Sequence, residues 1–170
     1  AARELDRSAK AVRAAVKDAV YGEGSRDMAE VFVDECRAKH IKVAVAESCT
    51  GGMLGARITS VPGSSDVFLG GIIAYDNAVK VKELGVSQAD LDAHGAVSEQ
   101  VVRAMAIGVR KKLDADLALA ATGIAGPGGG TPEKPVGLVW ICAATAYGVE
   151  PRRITSWGNR EEVRDRGAQA

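Results

Sequence analysis

Four stretches of this chain hold residue types able to do chemistry. The first is Glu47-Ser48-Cys49-Thr50-Gly51-Gly52. It follows an apolar run and precedes a helical one, so it reads as a strand-to-helix turn whose backbone N–H groups and positive helix end face a ligand. Ser48 there can attack a carbonyl while neighbouring amides hold the oxyanion. The same turn allows a plainer role, with Ser48 or Thr50 capping the helix. Cys49 is the rival nucleophile, or a small packed thiol. The second stretch delivers Tyr75 to the end of an apolar run and places Lys80 about one helical turn beyond. Lys80 is a candidate base for Ser48, provided that burial lowers its ordinary pKa of about 10.4 by roughly 3 units, about 4 kcal/mol. Otherwise it is a solvated helix lysine like Lys82.

The third stretch runs from Thr122 to Lys134, with five glycines between Gly123 and Gly130. So many small residues bring amides close to an anion, although an ordinary surface loop has the same composition. No Gly-Lys-Ser/Thr follows, and Pro132 and Pro135 interrupt any helix, so neither the P-loop nor the dinucleotide fingerprint fits. Lys134 suits an anion contact or plain surface. The fourth is Arg160 with Arg164, one turn apart on a helix face, able to clamp a phosphate or carboxylate or to pair with Glu161 and Glu162. His94, ahead of Gly95, reads as structural.

The elements that must position these groups follow from periodicity. Residues 3–20 space Leu5, Ala9, Val12, Val16 and Val20 as an amphipathic helix, and Ser25 is placed to cap a second one through His40. Strands are expected at Lys42–Glu47, Leu69–Tyr75, Leu117–Thr122, Val136–Tyr147 and Arg153–Trp157, the last two around a turn near Gly148–Pro151. Helices fill about 53–60, 77–84, 87–93 and 98–113, with Ser87 and Ser98 as caps, and Asn159-x-x-Glu162 opens a final one. Alternating strands and helices with a closing strand pair predict a three-layer α/β/α sandwich around a mixed, mostly parallel sheet.

Composition narrows the function classes. Lys plus Arg and Asp plus Glu are 22 each, so no net field draws nucleic acid or an anionic membrane. Three cysteines without C-x-x-C spacing argue against a disulfide framework or a cysteine metal site and fit a reducing cytoplasm. Two histidines leave little material for zinc or Ser-His-Asp chemistry. The longest nearly apolar run, Val136–Val149, falls short of the ~18 residues of a membrane span. The N-terminal residues lack the pattern of a secretory signal.

Taken in order, Ala46-Glu47-Ser48-Cys49-Thr50-Gly51-Gly52, Ala74-Tyr75-x-Asn77-x-x-Lys80, Leu84-Gly85-Val86, His94-Gly95-Ala96-Val97-Ser98, Thr122-Gly123-Ile124-Ala125-Gly126-Pro127, Lys134-Pro135-Val136-Gly137 and Arg160 resemble the C-terminal domain of the CinA family. The resemblance covers residues 25–170 and leaves 1–24 as the tail of a connector from an upstream domain. It implies a nicotinamide-mononucleotide deamidase, releasing nicotinic acid mononucleotide and ammonia without a metal or redox cofactor. It places the nucleophile on Ser48 and further catalytic positions on Lys80, Thr122 and Tyr75. Substrate contacts are then expected from Cys49, Thr50, Gly51, Gly52, Gly123, Gly126, Gly128, Gly129, Arg160 and Arg164. A symmetric homodimer in the cytoplasm is expected, with no nucleic-acid or membrane partner. In relatives the last helix runs beyond the position of Ala170, so the arginine end of the site is expected to be the least complete. A non-catalytic nucleotide-binding or interaction module, tied to competence or DNA damage, is the alternative. A phosphoryl transferase is weakened by the missing lysine-hydroxyl pair.

Overall fold

A computed structural model describes residues 2–17, 20–22 and 24–170. Helix α1 (Ala2–Val16) has the expected apolar stripe, yet Leu5, Val12 and Val16 all remain exposed. The helix read through residue 20 stops at Val16, and residues 18–19 of that reading lie outside the described ones. Helix α2 (Met28–Ala38) is capped by Asp27, not Ser25. The Asp27 carboxylate accepts from the Ala29 N–H at 2.8 Å, and Glu30 reaches back to accept from the Asp27 N–H at 2.8 Å. A reciprocal box needs Glu or Gln three residues after the cap. Asp27 has Glu30 there, whereas Ser25 has Met28.

Five strands form one sheet, β1 (Val43–Glu47), β2 (Phe68–Ile73), β3 (Leu117–Gly123), β4 (Leu138–Ala144) and β5 (Val149–Thr155), in the order β2-β1-β3-β4-β5. β1 pairs parallel with both β2 and β3, while β3–β4 and β4–β5 are antiparallel, so the sheet is mixed as the pattern predicts. β1 is buried along its whole length, which its run Val-Ala-Val-Ala-Glu suits and a two-sided cover requires. The final turn falls earlier than Gly148–Pro151: Thr145 and Gly148 close it, and Pro151 lies inside β5, opposite Cys142. An edge strand tolerates proline because half of its N–H groups have no neighbouring strand.

Helices cover both faces. On one, α4 (Asn77–Leu84), α5 (Gln88–His94) and α6 (Glu99–Lys112) bury Leu84, Leu91, Val101, Val102, Met105 and Val109 over Ala44, Ala46, Ala118 and Ala120. The alanine floor lets α6 sit close to the strands, and α6 also crosses α4 tightly: a Cβ at Gly108 would lie 1.9 Å from the Leu84 carbonyl oxygen. On the other face α2 and α3 (Met53–Thr59) bury Val33, Cys36 and Ile58 against Val43 and Val45. Beside them α7 (Arg160–Gln169) brings Val163 to Val139 and Cys49. Three layers result. No helix among the described residues is long and apolar enough to cross a membrane.

From β1 the chain moves to β2 on one side and then to β3 on the other. The carboxyl ends of β1 and β3 therefore flank a point where the winding reverses, the place where open α/β sheets leave a crevice.

Candidate active site

The parallel register sets the site. Glu47 lies opposite Ala121 in β3 and Ile73 in β2. The ladder continues one step further, with the Ser48 N–H donating to the Ala121 carbonyl at 2.9 Å and the Ala74 N–H to the Glu47 carbonyl at 2.7 Å. Ser48, the start of the Tyr75 segment and Thr122 are thus neighbours because three strand ends are in register. Between them opens a cleft of about 190 Å³, lined by Ser48, Cys49, Tyr75, Lys80, Thr122 and Arg160, together with Asn77, Ala96, Val97, Gly123 and Ala125.

The turn after β1 is built around Glu47. Its side chain is 1% exposed, and its two carboxylate oxygens accept from the N–H groups of Gly52 at 2.9 Å, Leu54 at 3.1 Å and Gly55 at 2.8 Å. The positive end of α3, which the sequence reading aims at a ligand, is thus occupied by the protein's own carboxylate. That carboxylate holds the turn rigidly while Ser48, 8% exposed, faces the cleft. Gly51 and Gly52 have φ of +61° and +101°, which side chains other than glycine rarely adopt. The turn can fold back onto Glu47 because these two residues are glycine.

Lys80 is 1% exposed in α4, and its Nζ donates to the Tyr75 carbonyl at 3.0 Å. Burial lowers its pKa, against the opposing pull of Asp76. The Asp76 carboxylate also caps α4, accepting from the Ala78 N–H at 2.7 Å. Burial acts oppositely on the neighbouring thiol: Cys49 is pushed up to about 11, despite the backbone N–H groups of Cys49 and Thr50 and the Arg164 charge. A thiol so raised stays protonated near neutrality, which weakens Cys49 as the rival nucleophile.

Thr122 is buried, and its hydroxyl donates to the Ala96 carbonyl at 2.9 Å. Its proton is committed to that bond, leaving oxygen lone pairs for the cleft. Tyr75 is 60% exposed at the cleft mouth, where its hydroxyl accepts from Nη2 of Arg160 at 2.8 Å. Nη1 of Arg160 donates to the Gly126 carbonyl at 2.7 Å. Arg160 also borders a second, open hollow with Met53, Asn159, Glu161 and Arg164. The two arginines therefore share this outer hollow, but they differ in what they hold. Arg164 donates Nε to the Cys49 carbonyl and Nη2 to the Thr50 carbonyl, both at 3.0 Å.

Other expected contacts are spread more widely. Gly123 lines the cleft and Gly126 touches it through Arg160, whereas Gly128 and Gly129 are exposed and outside its lining. Lys134 donates to the His94 carbonyl at the end of α5 and so fastens the glycine loop to that helix. Thr50 is fully buried, and its hydroxyl has no partner among the described residues. Two features fall outside the sequence expectations. Asn77 lines the cleft at the first turn of α4, where its place in Ala74-Tyr75-x-Asn77 is the available signal. Glu47 organises the turn, and an acidic residue ending an otherwise apolar buried strand was the mark that could have shown it.

Comparison with known proteins follows the same residues. The family model of the CinA C-terminal domain matches residues 25–170. A CinA-like protein of Gemmatimonas aurantiaca is 51% identical over 97% of this chain and 39% of its own length. A CinA-like protein of Dictyoglomus thermophilum is 43% identical over 96% of this chain and 40% of its own. The chain thus spans about two fifths of the length of these relatives. Among solved structures, the competence/damage inducible protein CihA from Agrobacterium tumefaciens superposes with a TM-score of 0.80 at 38% identity, covering 83% of this chain and 87% of that one. A competence-damaged protein (CinA) superfamily member from Escherichia coli gives 0.81 at 26% identity, over 91% and 92% of the two chains. With the family model covering most of the chain and relatives this similar along nearly all of it, the protein belongs to the CinA family.

Proposed function

We propose that this domain hydrolyses the carboxamide of nicotinamide mononucleotide to nicotinic acid mononucleotide and ammonia, with Ser48 as nucleophile and neutral Lys80 as its base. The observation that carries the reading is a buried lysine of lowered pKa sharing one cleft with a serine at the reversal point of the sheet. A lysine whose pKa burial lowers is a better base near neutral pH than a solvated lysine.

In the first step the Ser48 hydroxyl oxygen bonds to the carboxamide carbon and its proton passes to Lys80 Nζ. The carbonyl electron pair moves onto oxygen. That pair returns as the C–N bond breaks, and the nitrogen leaves as ammonia with the proton from Lys80. Water then repeats the sequence on the acyl-serine, releasing the carboxylic acid and restoring Ser48. Thr122 offers oxygen lone pairs beside Ser48, because its own proton goes to Ala96. Tyr75 closes the mouth of the cleft and braces Arg160.

A cleft of about 190 Å³ is smaller than the pockets that enclose a whole drug-sized ligand. It accommodates the pyridine carboxamide alone, with the ribose and phosphate lying outward toward Arg160 and the second hollow. The experiment is ammonia release by the purified chain given nicotinamide mononucleotide, compared with the dephosphorylated riboside. Release from the mononucleotide, with the riboside much poorer, is the expected result. No release from either overturns the reading, and equal kcat/KM for both removes the phosphate contact from it.

A further inference from the structure

Arg164 sits in the second turn of α7, yet both of its bonded groups reach 114 or 115 residues back to the turn after β1. The accepting carbonyls belong to Cys49 and Thr50. In a trans peptide the C=O and the N–H that share one plane point in opposite directions. The peptide whose carbonyl is Cys49's carries the Thr50 N–H. Holding that carbonyl toward Arg164 therefore turns the Thr50 N–H away from it, to the side of the sulfur of Cys49, a residue that borders the cleft.

The remaining N–H groups of the turn are committed. Ser48 donates to Ala121, Gly51 to the Ser48 carbonyl and Met53 to the Thr50 carbonyl, while Gly52, Leu54 and Gly55 donate to Glu47. Among the described residues no oxygen accepts from the N–H of Cys49 or Thr50. Both N–H groups instead face the Cys49 sulfur. Two adjacent amides directly after a candidate nucleophile, without an oxygen acceptor and with a guanidinium on the far side of the Cys49–Thr50 peptide, are the donors that an oxyanion site needs. The Arg164 charge beside the Cys49 carbonyl also polarises that peptide and strengthens its N–H as a donor.

We propose that Arg164 is a positioning residue, holding the Cys49–Thr50 peptide so that its N–H, with that of Cys49, receives the oxyanion formed at Ser48. This rests on the serine reading above for its catalytic consequence, but not for its geometry. It separates the two arginines: Arg160 stands where the substrate enters, and Arg164 acts from behind the turn.

The test uses Arg164→Ala and Arg164→Lys in the full chain, with Arg160→Ala as a control, read by amide ¹H–¹⁵N spectra and by turnover of nicotinamide mononucleotide. In Arg164→Ala the Thr50 and Cys49 amide signals should shift or broaden while those of α6 stay in place. Arg160→Ala should leave the Thr50 signal near its wild-type position. Turnover should lose on the order of 10²-fold in kcat, the scale of one oxyanion donor, with KM changed less than about threefold. Lysine, keeping the charge and one donor, should recover about tenfold of that loss. An unmoved Thr50 amide in Arg164→Ala overturns the proposal, as does a raised KM with kcat intact, which would make Arg164 a phosphate ligand. Should the wild type release no ammonia, the amidase reading fails by itself, and the Thr50 amide alone decides the role of Arg164.

Discussion

Replacing Glu47 by Gln changes one oxygen for an NH₂ group at the centre of the site's scaffold. In the wild type one carboxylate oxygen accepts from Gly52 and Leu54 and the other from Gly55. The amide can keep the first pair, now as neutral bonds, but its nitrogen then faces the Gly55 N–H, donor against donor. Bonds to a charged acceptor contribute about 1.5–3 kcal/mol each and neutral ones about 1, while a buried orphan donor costs about 1–3. At the low end of these ranges, two bonds weakened by about 0.5 kcal/mol each and one lost bond of about 2 kcal/mol sum to about 3 kcal/mol. In a chain of this length each kcal/mol moves the melting temperature about 2–4 °C, so Glu47→Gln should melt about 6–12 °C lower. Urea denaturation should show a lower midpoint with an unchanged slope. Hydrogen exchange should quicken first at Gly52, Leu54 and Gly55, which a diffuse structural defect would not single out. Glu47→Ala, orphaning all three donors, should approach the whole stability of a typical domain, about 5–15 kcal/mol. A Gln variant within about 0.5 kcal/mol of wild type, with those amides still protected, would refute this account of the turn.

Further outcomes follow from individual contacts. Lys80→Arg should be nearly as inactive as Lys80→Met, because arginine keeps the charge but cannot lose its proton. Wild-type kcat/KM should rise with pH through an apparent value below that of free lysine. Because the folded pKa of Lys80 is lowered, the unfolded chain binds more protons between that value and about 10.4, so stability should rise with pH across this window. Lys80→Met, which removes the titrating group, should flatten that rise; an unchanged pH dependence of unfolding would contradict the assignment. Arg160→Ala should raise KM for nicotinamide mononucleotide about tenfold or more and lower kcat less, as for a group holding a non-reacting part of the substrate. Gly108→Ala should lose about 2 kcal/mol or more in a urea melt, since its Cβ would press 1.9 Å from the Leu84 carbonyl oxygen and part α6 from α4, outweighing the helix-propensity gain of about 1.

Local chemistry was legible in the sequence where partners are close along the chain. Ser87, Ser98 and Asn159 cap the helices that their spacing predicted, and Asn159 forms its full box with Glu162. Ser25 failed because Glu30 chose Asp27, a competition between two polar residues that pattern alone does not rank. Pro151 misplaced a strand start because only the sheet order shows that β5 lies at an edge. The gathering of Ser48, Lys80 and Thr122 was implied by family resemblance, but its cause, three strand ends in register, is tertiary. Arg164 shows the limit most clearly. Its helical spacing from Arg160 suggested a shared clamp, while its bonded partners lie more than a hundred residues away.

The central claim is that Ser48 carries out the chemistry and Cys49 does not. Acid-quenching the protein during turnover of nicotinamide mononucleotide, then mapping the modified peptide by mass spectrometry, tests it most directly. The account predicts an acyl adduct on Ser48, absent in Ser48→Ala, which should retain its fold and lose on the order of 10⁴–10⁶ in rate. It also predicts that Cys49→Ala still forms the adduct and turns over. An adduct on Cys49, with Ser48→Ala active and Cys49→Ala dead, would contradict it.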